Sequence, residues 1–151
     1  MNILMVCTGN TCRSCMAEAI AKEVVEHHEA CNTLKEEEFN ISSAGVSTMD
    51  GYDMSEEAQR VLLEIGIDGS CHKTRQLTAE MIDEADLILT MQGKHKELIE
   101  RFFNVEDKIF TLNEYAGTSG EIKDPYGFDL DIYREIRDEI KYQVERVFEK
   151  L

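Results

Sequence analysis

Cys7 and Arg13 lie in the segment Cys7-Thr8-Gly9-Asn10-Thr11-Cys12-Arg13-Ser14, where five residues separate the thiol from the guanidinium. A thiolate is a strong nucleophile, and a planar guanidinium presents two parallel N–H donors to the oxygens of a phosphoryl group. The pair therefore suggests attack on a bound oxyanion. Chance gives this spacing roughly 0.2 times in a chain of such composition, so the surroundings have to carry the reading.

Those surroundings are an apolar run, Asn2-Ile3-Leu4-Met5-Val6, and then a helical pattern of Met16, Ala19, Ile20 and Val24 from residue 15 to about residue 29. The run predicts a strand buried on both faces, and the pattern predicts an amphipathic helix. A loop between strand and helix directs backbone N–H groups at one point beyond the sheet, where open parallel sheets bind anions. Thr8, Gly9, Thr11 and Cys12 are the expected substrate-binding positions of this cradle. Its donors, the helix N-terminus and Arg13 all favour a thiolate at Cys7, and Ser14 is placed to donate a hydrogen bond to it. As charge spreads in the transition state, Arg13 complements the backbone donors.

Residues 39–45 predict a second strand, and Ser55 caps a predicted helix with Ala58, Val61, Leu62 and Ile65 on its apolar side, stopped by Gly66. Residues 87–91 predict a third strand. A helix carrying Leu98, Ile99 and Phe102 leads to a fourth at 109–112, and Ile132, Ile136, Ile140, Val144 and Val147 mark a final amphipathic helix. The expected fold is α/β: a three-layer sandwich with a central four-stranded parallel sheet and helices on both faces. One domain is expected over residues 1–151, with no repeat or low-complexity segment; the acidic run Glu36-Glu37-Glu38 and the charges from Glu97 to Glu100 read as solvated surface.

The composition agrees with a single domain: 42% hydrophobic residues, nine glycines and one proline in 151 positions. A chain of this size buries roughly 68–70% of its unfolded surface, which requires neither a structural metal nor a disulfide. The net charge of −15, from 31 acidic and 16 basic residues, opposes nucleic acid and an anionic membrane surface as partners. No run approaches the roughly 18 apolar residues of a spanning helix, and residues 3–6 are too few for a signal-peptide core. The five cysteines (Cys7, Cys12, Cys15, Cys31 and Cys71) match neither a secreted disulfide framework nor a paired zinc pattern. A reducing, cytoplasmic setting is expected, with phosphate or other oxyanions in the loop and no metal or other cofactor.

Asp124 precedes the single proline, between Gly120 and Gly127. Proline holds the preceding residue extended, which presents the carboxyl group on an ordered loop. There it can protonate a leaving group and then, as a carboxylate, activate water against a phosphocysteine. His72 is expected to make a supporting hydrogen bond; His27, His28 and His95 are expected in solvent.

The chain resembles the low-molecular-weight protein tyrosine phosphatase family over nearly its whole length. The resemblance rests on the Cys7 loop, Ser43-Ala44-Gly45-Val46, His72 within Cys-His-Lys-Thr-Arg-Gln-Leu, Leu89-Thr90-Met91 and Asp124-Pro125-Tyr126-Gly127. It implies phosphorylated protein substrates, with Cys7 as the residue phosphorylated, Arg13 holding phosphoryl oxygens and Asp124 as general acid. It also implies that Asn10 supports a strained loop through Ser43 and His72.

Within that family, Thr11 resembles the bacterial protein-arginine phosphatases, whose loop also reads Cys-Thr-Gly-Asn-Thr-Cys-Arg-Ser; tyrosine-specific members usually have a branched apolar residue there. A hydroxyl pairs with a guanidinium, whereas a phenyl ring gains more from an apolar wall. Phosphoarginine is therefore the expected substrate and phosphotyrosine the alternative. Tyr126 stacks on either group and does not decide between them. Cys12 can form a reversible disulfide with Cys7, and Cys15, where the family usually has proline, adds a third thiol close by that leaves open which of the two pairs with Cys7. A thiol-coupled arsenate reductase would need cysteines beyond Met81, and none follows Cys71. A cysteine phosphocarrier would have no use for Arg13 and Asp124, and a non-catalytic anion binder would need no thiol.

Overall fold

Along β1 (Asn2–Cys7) successive side chains enter two different cores, as expected for a strand covered on both faces. Ile3, Met5 and Cys7 join one core, while Leu4 and Val6 join the other. The computed structural model describes residues 1–30 and 38–151. Cys31 and the acidic pair Glu36-Glu37 lie outside the described residues.

Four parallel strands form the sheet in the order β2 (Asn40–Gly45), β1, β3 (Leu87–Thr90) and β4 (Ile109–Thr111). Cys7 pairs with Gly45 at the end of β1, and Val6 pairs with Thr90 on the opposite side. The chain leaves β1 towards one side of the sheet and later returns on the other, so the reversal of strand order falls at the carboxyl end of β1. That crevice is where open α/β sheets hold ligands.

Helices α1 (Arg13–Ala30), α2 (Glu56–Leu63), α5 (Leu112–Ala116) and α6 (Leu130–Lys150) contribute to the core containing Ile3 and Met5. On the other face, Ile82 of α3 (Ala79–Glu84) and Ile99 of α4 (Gly93–Phe102) pack with Leu4, Val6, Ile88 and Ile109. The three-layer α/β sandwich is the fold expected from the sequence. Ser55 caps α2 by accepting from the Ala58 N–H at 3.2 Å, also as expected.

The differences are local. Helix α1 starts at Arg13, two residues before the apolar pattern begins. β4 ends at Thr111, because the Thr111 hydroxyl accepts from the Glu114 N–H at 3.1 Å and turns Leu112 into the first residue of α5. Met91 falls just outside β3, yet its N–H still reaches the Val6 carbonyl at 2.9 Å and its own carbonyl accepts from Ile122 at 3.0 Å. This last bond ties the segment leading to Asp124 back to the sheet.

Candidate active site

At the end of β1 the chain turns so sharply that Asn10 adopts a φ of 58°, the left-handed region in which asparagine is among the better-tolerated residues. Four contacts hold it there. Its Nδ2 donates to Ser14 Oγ at 2.8 Å and to Ser43 Oγ at 2.9 Å; its Oδ1 accepts from the Arg75 N–H at 3.0 Å. Its carbonyl lies 2.8 Å from His72 Nε2 and accepts from it. Ser43 in turn donates to Glu18 at 2.7 Å.

These bonds fix a direction for the hydroxyl of Ser14. Asn10 can only donate through Nδ2, so Ser14 Oγ accepts there and keeps its proton for Cys7 Sγ, 2.9 Å away. The Asn10 N–H also reaches the sulfur, at 3.3 Å. Two donors therefore converge on Cys7, a geometry suited to negative charge on sulfur.

The loop is braced as well by the segment that follows β2. The N–H groups of Val46 and Ser47 donate to the carbonyls of Cys7 and Thr8, both at 3.0 Å. The two backbones run so close that a Cβ on Gly45 would sit 2.6 Å from the Thr8 carbonyl oxygen. Glycine is required at that position for the sheet and the loop to meet.

Arg13 is only 2% exposed, an unusual place for a guanidinium unless its donors are used. Nη1 donates to Gln92 Oε1 at 2.6 Å and to the Ile122 carbonyl at 3.1 Å, while Nη2 lies 3.8 Å from Asp124 Oδ2. The Asp124 side chain is 53% exposed and accepts from the Tyr126 N–H at 3.1 Å, so it stands at the solvent edge of the buried guanidinium. Tyr126, 79% exposed, lies beside it in sequence.

Cys12 is buried, with Sγ 3.3 Å from Ser55 Oγ and 3.6 Å from the Tyr133 hydroxyl. Cys15 donates to the Cys12 carbonyl at 3.2 Å. Burial first, and then the neighbouring Cys7 and Cys12, push the Cys15 thiol well above its ordinary pKa. Cys7, Cys12, Cys15 and Cys71 all carry free thiols. No group of three or more potential metal ligands occurs among the described residues.

Cys7, Asn10, Ser14, Ser43 and His72 are thus joined by direct hydrogen bonds, Arg13 faces Asp124 in a separate pair, and Thr8 is held through its carbonyl by the Ser47 N–H. The backbone between Thr8 and Cys12, including Gly9 and Thr11, completes the loop. His95 corrects an expectation: it is 2% exposed and not solvated, because α4 begins directly against the loop and seats the ring 2.9 Å from Thr8 Oγ1. His27 is exposed and His28 half-buried. Gln92 and Glu18 also reach the site though the sequence does not single them out, and Ser55, expected only as a helix cap, reaches Cys12 as well. For His95 there was a signal: Gln92-Gly93-Lys94-His95 at the start of an amphipathic helix has capping-box spacing, disguised because glutamine replaces the usual Ser/Thr and histidine the usual Glu/Gln.

The sequence pattern of the low molecular weight phosphotyrosine protein phosphatases matches residues 2–151. The chain belongs to this family. Among relatives of this phosphatase chain, a protein-arginine-phosphatase of Geobacillus stearothermophilus is 42% identical over 151 residues, covering 99% of this chain and 95% of that one. The low molecular weight protein-tyrosine-phosphatase PtpB of Staphylococcus aureus is 36% identical over 140 residues, 93% of this chain and 91% of its own. A solved YwlE arginine phosphatase, a mutant with a phosphorylated active-site serine, superposes with a TM-score of 0.89 at 38% identity, covering 100% of this chain and 95% of that one.

Proposed function

We propose that this phosphatase domain, residues 1–151, hydrolyses phosphoarginine in proteins through a phosphocysteine at Cys7. The observation that carries the reading is the convergence of Ser14 and the Asn10 N–H on Cys7 Sγ, with Arg13 held between Gln92 and Asp124. In the first step the thiolate attacks phosphorus and the P–N bond breaks; Asp124 gives its proton to the departing guanidino nitrogen. In the second, the Asp124 carboxylate takes a proton from water as that water attacks the phosphocysteine. The P–S bond breaks, and inorganic phosphate and the thiolate are released. Arg13 and the loop N–H groups neutralise charge on the equatorial oxygens in both steps. The phosphorylated serine in the YwlE mutant supports a covalent intermediate of this kind.

Asp124→Asn removes the proton donor and keeps the shape of the side chain. The expected loss in kcat is about 10²-fold on a peptide substrate, shrinking for aryl phosphates whose leaving groups need no proton. A series of aryl phosphates of decreasing leaving-group pKa checks this.

Phosphoarginine is favoured over phosphotyrosine by Thr11 and by the relatives that carry that activity in their names. A polar wall suits a guanidinium, and an apolar one suits a ring. Native chain and Thr11→Ile are compared on matched phosphoarginine and phosphotyrosine peptides. The expected native preference is for phosphoarginine, and Thr11→Ile moves the ratio of kcat/KM values towards phosphotyrosine by about 10- to 100-fold. A native preference for phosphotyrosine would overturn the substrate assignment while leaving the phosphatase chemistry intact.

We place the protein in the cytoplasm, where thiols stay reduced and phosphorylated proteins are available. No helix among the described residues is long and apolar enough to cross a membrane. Under peroxide, Cys7 passes to a sulfenic acid, and the Cys12 thiolate condenses with it to a disulfide, releasing hydroxide. Cys15, with its raised pKa, is the poorer partner for that step.

A further inference from the structure

His95 touches neither Cys7 nor Arg13, yet it joins the two ends of the loop that carries them. Its Nδ1 lies 3.2 Å from the Gln92 backbone nitrogen and its Nε2 lies 2.9 Å from Thr8 Oγ1. A backbone N–H can only donate, so Nδ1 must present a lone pair. In the neutral ring the proton therefore sits on Nε2 and is donated to Thr8, whose hydroxyl keeps its own proton for another acceptor.

Each partner of the ring leads to the catalytic machinery. Thr8 follows Cys7 directly, and its carbonyl is already held by the Ser47 N–H at 3.0 Å, so the ring fixes the side chain of a residue whose backbone is fixed by the segment after β2. Gln92 is tied through its N–H to His95 and through its carbonyl to Thr90 Oγ1 at 3.0 Å. With both backbone groups anchored, its side-chain oxygen meets Arg13 Nη1 at 2.6 Å.

We propose that His95, as the neutral tautomer protonated on Nε2, is a positioning residue for phosphoryl transfer, fixing Thr8 through one ring nitrogen and the Gln92–Arg13 contact through the other. This rests on the roles of Cys7 and Arg13 given above. No other side chain supplies an acceptor and a donor at these two ring positions together. Asparagine reproduces only the acceptor near Nδ1, and glutamine only the donor near Nε2. The groups facing the ring keep it neutral: burial, Arg13 and Lys94 lower its pKa from 6.5 to about 4, against the opposing pull of Asp124.

The test uses an activated aryl phosphate, so that it does not depend on the choice between phosphoarginine and phosphotyrosine. Steady-state kinetics and inhibition by vanadate, which mimics the five-coordinate phosphoryl group, are measured for the native chain, His95→Asn, His95→Gln and Thr8→Val. Each His95 variant is expected to lose on the order of 10- to 100-fold in kcat with KM nearly unchanged, and to lose vanadate affinity by a similar factor. Thr8→Val added to His95→Asn should cost little more, since both remove the same bond. Nitrogen NMR of the native imidazole at pH 7 should show Nε2 protonated and Nδ1 bare. A merely structural role would lower the melting temperature while leaving kcat and vanadate affinity in place for the folded variants, and that result overturns the proposal. So does an Nδ1-protonated or cationic ring at pH 7. If the His95 variants do not fold, Thr8→Val carries the kinetic test, and native kinetics in that variant would count against the proposal. A native chain that fails to turn over the aryl phosphate would instead overturn the phosphatase reading, while the NMR result still reports the tautomer.

Discussion

Cys7→Ser is expected to lower phosphate release by at least about 10⁴-fold while leaving the fold and anion binding in place. The reason lies in what surrounds the sulfur. Ser14 Oγ and the Asn10 N–H, 2.9 and 3.3 Å away, are donors suited to an atom that already carries negative charge. Neither can remove a proton. Serine has nearly the same shape as cysteine but ionises far less readily, and the contacts at position 7 include no base to activate it. Arg13 and the loop N–H groups other than that of Asn10 do not depend on the sulfur, so inorganic phosphate should bind Cys7→Ser within a few-fold of its native affinity. Calorimetric titration with phosphate and a phosphate-release assay on the same preparation check both halves. Retention of more than about 1% of native turnover would sink the nucleophile assignment, and loss of phosphate binding would mean that the substitution disturbed the loop itself.

The parts of this protein legible in its sequence are those encoded contiguously. β1 could be read because Ile3, Leu4, Met5 and Val6 serve two cores at once, leaving an unbroken apolar run. The loop could be read because Cys7, the turn at Asn10 and Arg13 lie within eight consecutive residues. Helices α3 and α5, of 6 and 5 residues, are too short to establish a helical period, so the sequence does not mark α3 and Leu112 at the start of α5 looks like a continuation of β4. The burial of His95 is hidden in the sequence for a different reason. Its burial depends on β3 pairing with β1, which brings the N-terminus of α4 against Thr8 across 87 residues of sequence. A polar residue on a short amphipathic helix looks exposed until the sheet order is known. Glu18 presents the same difficulty, since only the fold brings it to Ser43 and thence to Asn10. Cys7 and the loop that follows it are local features, whereas the hydrogen bonds that orient them are topological.

Arg13→Lys is expected to reduce kcat/KM by about 10³-fold, at the upper end of what the loss of one transition-state donor costs. Arg13 uses one end of its fork to hold itself in place, through Gln92 and the Ile122 carbonyl, and leaves the other end facing Asp124. A single ammonium cannot divide its donors in this way. If it stays with Gln92 and Ile122 it withdraws from the phosphoryl oxygens, and if it advances towards them it leaves Gln92 Oε1 without its partner in a buried site. Lysine also lacks the planar, bidentate match to two oxygens, so both ground-state binding and transition-state stabilisation should fall. The loss should be the same for good and poor leaving groups, because the guanidinium acts on the equatorial oxygens and not on the departing atom. This separates Arg13 from Asp124, whose contribution fades as the leaving group improves. Measuring Arg13→Lys and Asp124→Asn across one aryl phosphate series therefore distinguishes the two roles: parallel lines of log(kcat/KM) against leaving-group pKa for native chain and Arg13→Lys, and a steeper line for Asp124→Asn. A slope change in Arg13→Lys would mean that the guanidinium acts chiefly by holding Asp124.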